Sequence, residues 1–394
     1  MSESPVLVVG GGIAGVATSL ALGTMGKTVR LLEQADQIGA IGYGVQLGPN
    51  VLPALSYLGI QQEVLAAAYL PTSLHLYELN SAICLGDIPL QTPEFHARFG
   101  GANYVAIHRV DLHEILLAAC RKLPNVDLNQ ATTVTGYLQT NTGVTVSTAD
   151  GQTISGSALI VADGLRSRLR AQMHPLDEPR DTGYVAHRTL VPMSRAPARI
   201  QHRNGVTMWV GDGFHVIYYP LRNRREMNVV VVVRLPTDID VSDLTAYHNH
   251  IICIMKAASP EARDVIAMVN LERRWNIADR NPIRRWSDGN VTLIGDSAHA
   301  ALQSFAQGGG MALEDVACLA KLIEKTKDDY ATAFKQFEKA RFVRTARLQL
   351  ESRALWHDYH SSGIDADIRN AKYQEKTTDD FYRCLDWLWL GPKA

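Results

Sequence analysis

The chain has 394 residues, with 39 Lys and Arg against 40 Asp and Glu. That balance gives no electrostatic reason to expect nucleic acid or an anionic membrane as a partner. No apolar run approaches the roughly 20 residues that span a bilayer, and the length allows two or three packed units around a sizeable core.

The N-terminus, MSESPVL, has no basic n-region, which argues against a signal peptide and for the cytoplasm. The stretch VLVVGGGIAGVATSLALGTMGKTVRLLEQ follows. Val6 to Val9 reads as a central parallel strand covered on both faces. Gly10, Gly12 and Gly15 then follow the G-x-G-x-x-G spacing: a tight turn, a close backbone approach to a pyrophosphate, and close helix–sheet packing. The helix expected over Ile13 to Met25 presents free amides and its positive dipole end to phosphates. A second strand, KTVRLLE, ends at Glu33, where a carboxylate can bind ribose hydroxyls. Strand, turn, helix, strand and acid in this order predict dinucleotide binding. They do not separate NAD from FAD.

Further along, SALIVADGLRSRLR places an apolar strand, Ala158 to Val161, before Asp163-Gly164, with Ser167 and Arg170 opening a helix. From about Tyr184 to Asn276 the pattern changes, and VTMWVG, FHVIYYPLR and EMNVVVVVRL predict adjacent antiparallel strands. His187-Arg188 falls on a strand and is expected to line a wall or brace the sheet. YHNHIIC imitates metal-ligand spacing at His248, His250 and Cys253 but lacks a fourth ligand, so no metal is expected. The five cysteines, Cys84, Cys120, Cys253, Cys318 and Cys384, lie far apart and suit reduced thiols.

The segment VTLIGDSAHAALQSFAQGGGMALEDVACLAKLIE predicts a strand at Val291 to Ile294, then Gly295-Asp296, then a triplet, Gly308 to Gly310, opening a long helix. Each glycine costs about 0.5–1 kcal/mol of backbone entropy relative to alanine. Close approach of a flat ring to the helix N-terminus would account for three in a row, and that terminus would stabilise a reduced flavin anion. After Arg344 the sequence reads as amphipathic helices, with Trp387 and Trp389 giving the end an apolar patch. These helices are expected to close the substrate region or form a dimer contact.

In this order and separation, the three motif segments resemble the single-component flavoprotein aromatic hydroxylases of the para-hydroxybenzoate hydroxylase type. The resemblance spans essentially the whole chain. It implies that Gly10, Gly12, Ile13, Ala14, Gly15 and Glu33 hold the ADP part of FAD. It places Asp163 near the pyrophosphate and the nicotinamide donor, and Asp296 at the ribityl chain. Arg109, in AIHRVDLHEIL, and the Gly309, Gly310 and Met311 run lie beside the flavin by the same likeness. His215 and Gln303 take catalytic positions, and Tyr104 and Tyr219 substrate-binding ones. Within the family, IGYGVQLGPN, YVAIHRVDLH, GFHVIYYPLR, FEKARFVRTARLQLESR and DFYRCLDWLW are most similar to the 3-hydroxybenzoate 6-hydroxylase branch. Two departures stand out: Tyr43 replaces a small residue beside the flavin, and Gly309-Gly310 replaces a commoner Ala-Cys pair.

The expected fold is α/β, a doubly wound FAD-binding domain interleaved with an antiparallel substrate sheet and C-terminal helices. Residues 1–72, 100–180 and 282–345 would form the first, 73–99 and 181–281 the second, and 346–394 the helical end. The resemblance implies a monooxygenase using FAD, NADH or NADPH, and O2. Its substrate is a small aromatic acid, and its oxygen donor a C4a-hydroperoxyflavin; 3-hydroxybenzoate to gentisate is the leading assignment. Salicylate or a hydroxypyridine carboxylate is the alternative substrate. A non-hydroxylating flavin reductase or redox-sensing flavoprotein is the alternative class. The resemblance also leaves a homodimer open.

Overall fold

A computed structural model describes residues 4–39, 42–140 and 143–392. Ile41, at the head of the quoted IGYGVQLGPN, lies outside the described residues.

The Val6–Val9 strand is fully buried and pairs in parallel with Ala158–Val161 on one side and Val29–Leu32 on the other. Six strands complete this sheet in the order Ser287–Asp288, Val291–Leu293, Ala158–Val161, Val6–Val9, Val29–Leu32, Val126–Asn129. All pairings are parallel except at the short Ser287–Asp288 edge. The Ile13–Thr24 and Tyr330–Tyr359 helices pack on one face and the antiparallel strands Val134–Thr140, Gly143–Thr148 and Thr153–Gly156 on the other, so the covered strands read as unbroken apolar runs and not as alternations. The helix after the first glycine turn spans Ile13–Thr24, and the strand expected over Val291 to Ile294 ends at Leu293. Ser167 caps the Arg168–Met173 helix by accepting from Arg170 N.

A seven-stranded sheet forms the other half. Its order is Trp275–Asp279, Arg180–Pro192, Glu226–Arg234, Phe214–Leu221, Val206–Gly211, Ser73–Glu78, Cys84–Pro89. The three strands read from the middle segment are adjacent and antiparallel as expected. Ser73–Glu78 joins them in parallel from much earlier in the chain.

Side chains alternate across this sheet, and the two faces differ. One face carries Val216, Tyr218, Val229, Val231 and Val233 against the helices Leu244–Ala257 and Pro260–Ile266. The opposite face carries Arg188, Val230, His215, Ile217, Tyr219 and Met208 toward the six-stranded half.

A single helix runs through Tyr330–Tyr359, so helical structure begins well before Arg344, and Gly363–Gln374 and Thr378–Trp389 follow it. The last helix starts in a Thr377/Asp380 capping box. Arg98 clasps it through Asp379 and Asp386 at 2.6 and 2.7 Å. Trp389 is buried among Phe95, Phe99 and Tyr104, and Arg347 lies over the Trp387 ring at 4.2 Å, so the terminal tryptophans are covered from within. Among the described residues no helix is long and apolar enough to cross a membrane.

Candidate functional site

The first glycine turn is fixed by contact. Gly10 has φ +106°, and a Cβ there would sit 2.3 Å from the Ala162 carbonyl oxygen. A Cβ on Gly15 would lie 1.8 Å from the Gly10 oxygen. Gly12 differs: a Cβ would meet no atom of the described residues within 4 Å, so the open space lies on the side where the helix amides point. Glu33 accepts from Gly11 N with one oxygen and from Ala35 N with the other, so the acid braces the turn itself. His113 adds a 2.7 Å bond to the Gly11 oxygen. Nothing in the motif pointed to His113.

The second cradle is built around Gly295-Asp296. Gly295 has φ +62°, and its backbone packs against Ala14 and Ala312. Asp296, exposed, opens the Asp296–His299 turn and lines a cavity together with Ile13, Gly308 and Gly309. Gly308 and Gly309 begin the Gly308–Lys325 helix facing open space, whereas a Cβ on Gly310 would strike Gln307 and Val51. The triplet therefore divides: two glycines face the cavity and the third allows close packing. Met311 lies outside the cavity wall. Its amide donates to the Gln307 oxygen and its side chain is buried near Leu348 and Trp389. Among the described residues nothing hydrogen-bonds the buried Oδ1 of Asp163, and burial raises its pKa. Arg109 donates its backbone N–H to the Tyr43 oxygen, and no ion pair to its guanidinium is formed among the described residues. Two helix N-termini, an orphaned carboxylate oxygen and space at Gly12 fit a dinucleotide that ends in a flat ring beside Gly308.

Beneath this cradle runs a buried ionic network that the sequence reading missed. His299 bonds Asp315, whose other oxygen takes Arg341 at 2.6 Å. Arg341 and Arg344 both hold Glu314, which also accepts from Asn50. These partners lower the pKa of both acids against the opposing effect of burial. The only signal was a Glu-Asp pair on an otherwise apolar helix face.

The cavity, about 490 Å³, continues from Gly308 to the inner face of the seven-stranded sheet and out under the C-terminal helices. It brings His215, Gln303, Tyr104 and Tyr219 together. Tyr219 lies against Gly44, where any side chain would collide with its ring, and Tyr104 donates to Gln46 at 2.6 Å. Burial pushes the Tyr219 phenol up to about 12. Tyr43 stands outside the wall, edge-on to Trp275 at 5.3 Å.

His187 and Arg188 separate as strand alternation requires. His187 points away, bonded to Tyr247 and the Arg273 carbonyl. Arg188 points into the cavity, donates to Gln303 Oε1 at 2.7 Å, and lies 6.0 Å from the Tyr43 ring. Among the described residues no carboxylate pairs with it, and burial lowers its pKa. An uncompensated guanidinium in a low-dielectric pocket is costly, and an arriving anion would offset that cost. His215, almost fully buried, bonds His360 through Nδ1 at 2.8 Å. Its pKa is pushed well below the ordinary histidine value by burial, with His360 and Arg188 adding to the effect.

Comparison with known proteins adds to this geometry. A family model described as FAD binding domain matches residues 3–340. The chain is 37% identical over 390 residues to a 3-hydroxybenzoate 6-hydroxylase of Polaromonas naphthalenivorans, covering 98% of this chain and 96% of that one. It is 34% identical over 384 residues to a 3-hydroxybenzoate 6-hydroxylase of Klebsiella oxytoca, with 97% and 96% covered. The crystal structure of Klebsiella pneumoniae HpxO complexed with FAD and uric acid superposes with a TM-score of 0.86 at 24% identity, covering 99% and 97%, a likeness of fold.

Proposed function

The chain belongs to the family defined by this FAD-binding domain and is an FAD-dependent aromatic monooxygenase, and from that premise we propose that it hydroxylates 3-hydroxybenzoate to 2,5-dihydroxybenzoate (gentisate). NAD(P)H and O2 are the co-substrates. In balance, substrate, O2, NAD(P)H and a proton give product, water and NAD(P)⁺. The observation that supports the substrate reading is the placing of a guanidinium, Arg188, that no carboxylate neutralises among the described residues, beside a neutral imidazole, His215, on one cavity wall.

Gly12, Asp163, Asp296, Gly308 and Gly309 are the residues that would hold FAD, with Arg109 beside it. Bound FAD, once reduced, supplies the activation of O2. The chain's own residues act on the aromatic acid. Arg188 holds the carboxylate, with the amide donors of Gln303 beside it, since the Gln303 oxygen is already engaged by Arg188. His215 accepts the phenolic proton, which activates the ring carbons ortho and para to the oxygen. Ile217, Val230 and Leu302 keep water off the reacting ring. Tyr104 and Tyr219, tied through Gln46, close one end of the pocket.

NADH oxidation by the FAD-loaded protein should be stimulated most by 3-hydroxybenzoate and little by 3-hydroxybenzamide, which keeps the phenol and removes the charge. Stronger stimulation by salicylate or 6-hydroxynicotinate would overturn the substrate assignment. Equal stimulation by acid and amide would remove the role of Arg188.

A further inference from the structure

His215 does not stand alone. His360, the residue that ends the Tyr330–Tyr359 helix, places its Nε2 2.8 Å from His215 Nδ1 and its own Nδ1 2.8 Å from the Trp356 carbonyl oxygen. The backbone N–H of His360 bonds the His357 oxygen, which leaves the Trp356 carbonyl for the imidazole. A histidine serving a last-turn carbonyl is a natural helix ending.

The carbonyl fixes the protons. It can only accept, so His360 Nδ1 carries hydrogen. His360 is neutral near pH 7, because burial brings its pKa down to about 4. Its Nε2 is therefore a bare acceptor. The hydrogen in the His215–His360 bond must then sit on His215 Nδ1, and His215 Nε2 must be the unprotonated nitrogen. That Nε2 makes no hydrogen bond among the described residues and is not sealed off from the cavity that the ring lines. Trp356 and Tyr359 pack edge-on against the His215 ring, at 5.4 and 6.0 Å, and Tyr184 lies 4.4 Å from the His360 ring. The charges nearest the pair are cationic, Arg188 on the His215 side and Arg234 and Arg369 on the His360 side. They oppose charging either ring at rest.

We propose that His360 is a positioning residue that holds His215 in the Nδ1–H tautomer, leaving a basic Nε2 aimed at the substrate hydroxyl. When the phenol O–H bond breaks and its proton moves to Nε2, phenolate and imidazolium form together. The Nδ1–H bond to His360 then becomes charge-assisted and stronger. Without His360 a buried Nδ1–H would have no acceptor, and the ring would prefer the opposite tautomer, which offers the substrate a donor in place of a base. This inference rests on the proposed role of His215, but its primary test needs no substrate.

Long-range 1H–15N correlation spectra of histidine-labelled, FAD-loaded protein read each ring's tautomer directly, with His215→Ala supplying the assignment. In the unmodified protein, His215 and His360 should both be protonated at Nδ1 and bare at Nε2. His360→Phe should move the hydrogen on His215 to Nε2. It should also lower coupled hydroxylation by roughly 10²–10⁴-fold, the typical worth of a general base, while NADH oxidation continues. His360→Gln, whose side-chain oxygen can accept from His215 Nδ1, should restore both readouts. An Nε2–H tautomer of His215 in the unmodified protein overturns the proposal, whether or not the variants fold. So does an unchanged tautomer in His360→Phe. A different aromatic substrate would alter the proposed function and leave the tautomer result standing.

Discussion

Arg188 donates a 2.7 Å hydrogen bond to Gln303 Oε1, joining the Arg180–Pro192 strand of one sheet to the Gln303–Phe305 turn that precedes the Gly308 helix. The bond orients a cation that no carboxylate neutralises among the described residues. Truncating one partner of a buried, hydrogen-bonded charge pair costs 2–5 kcal/mol. At 1.4 kcal/mol per factor of ten, Arg188→Met should raise the Kd for 3-hydroxybenzoate by roughly thirtyfold or more. The Kd for 3-hydroxybenzamide should change little. Titrating both ligands against the flavin absorbance of the two proteins checks this.

The first glycine motif makes two different predictions at neighbouring positions. A Cβ on Gly12 meets no atom of the described residues within 4 Å, so Gly12→Val should fold with near-normal apoprotein stability and lose FAD. A side chain on Gly15 collides with the Gly10 carbonyl, so Gly15→Val should destabilise the protein itself. Thermal unfolding with and without added FAD separates the two effects.

Asp296 projects into the cavity beside Gly308. A hydrogen bond to a charged group is worth roughly 1.5–3 kcal/mol, so Asp296→Ala should weaken FAD binding by about ten- to a hundredfold. Fluorescence titration of apoprotein with FAD measures it, and unchanged affinity would reduce this Gly-Asp to a turn.

The buried histidines give the fold an acid-labile side. Burial lowers His187 from an ordinary 6.5 to about 4, against the smaller opposing effect of its bond to the Arg273 carbonyl. Above pH 6.5 the ring is neutral both folded and unfolded, and its contribution is fully present. Between about 6.5 and 4 the unfolded chain takes up a proton that the native chain refuses, so stability falls as pH falls. His187→Gln should flatten the decline in Tm between pH 7 and pH 5, measured with FAD at saturation. A decline unchanged from the parent protein would contradict the buried neutral state of His187.

The glycine turn, the parallel strands and the three middle strands were legible because each depends on local spacing or periodicity. The roles within the cavity were less so. His187 and Arg188 are neighbours in sequence, and only the choice of which sheet face turns inward separates a brace from a cavity cation. That choice is hidden when both faces are covered, as in the Val229 to Val233 run, where alternation carries no polarity signal. The Gly308–Gly310 triplet was visible, but helical phase decides that Gly310 packs on Val51 while the other two face open space. His360 lies 145 residues from His215 and carries no motif, so only the packing of a helix end against a strand shows the pair. The Asp315–Arg341 bond is invisible for the same reason.

The most direct test of the account is the identity and yield of product from the FAD-loaded protein supplied with 3-hydroxybenzoate, NADH and O2. The expected result is 2,5-dihydroxybenzoate in near one-to-one stoichiometry with NADH and O2 consumed, with His215→Ala diverting that oxygen to hydrogen peroxide while NADH oxidation continues. A dihydroxybenzoate hydroxylated at another ring position, hydrogen peroxide as the main product of the unmodified protein, or near-full coupling in His215→Ala would contradict it.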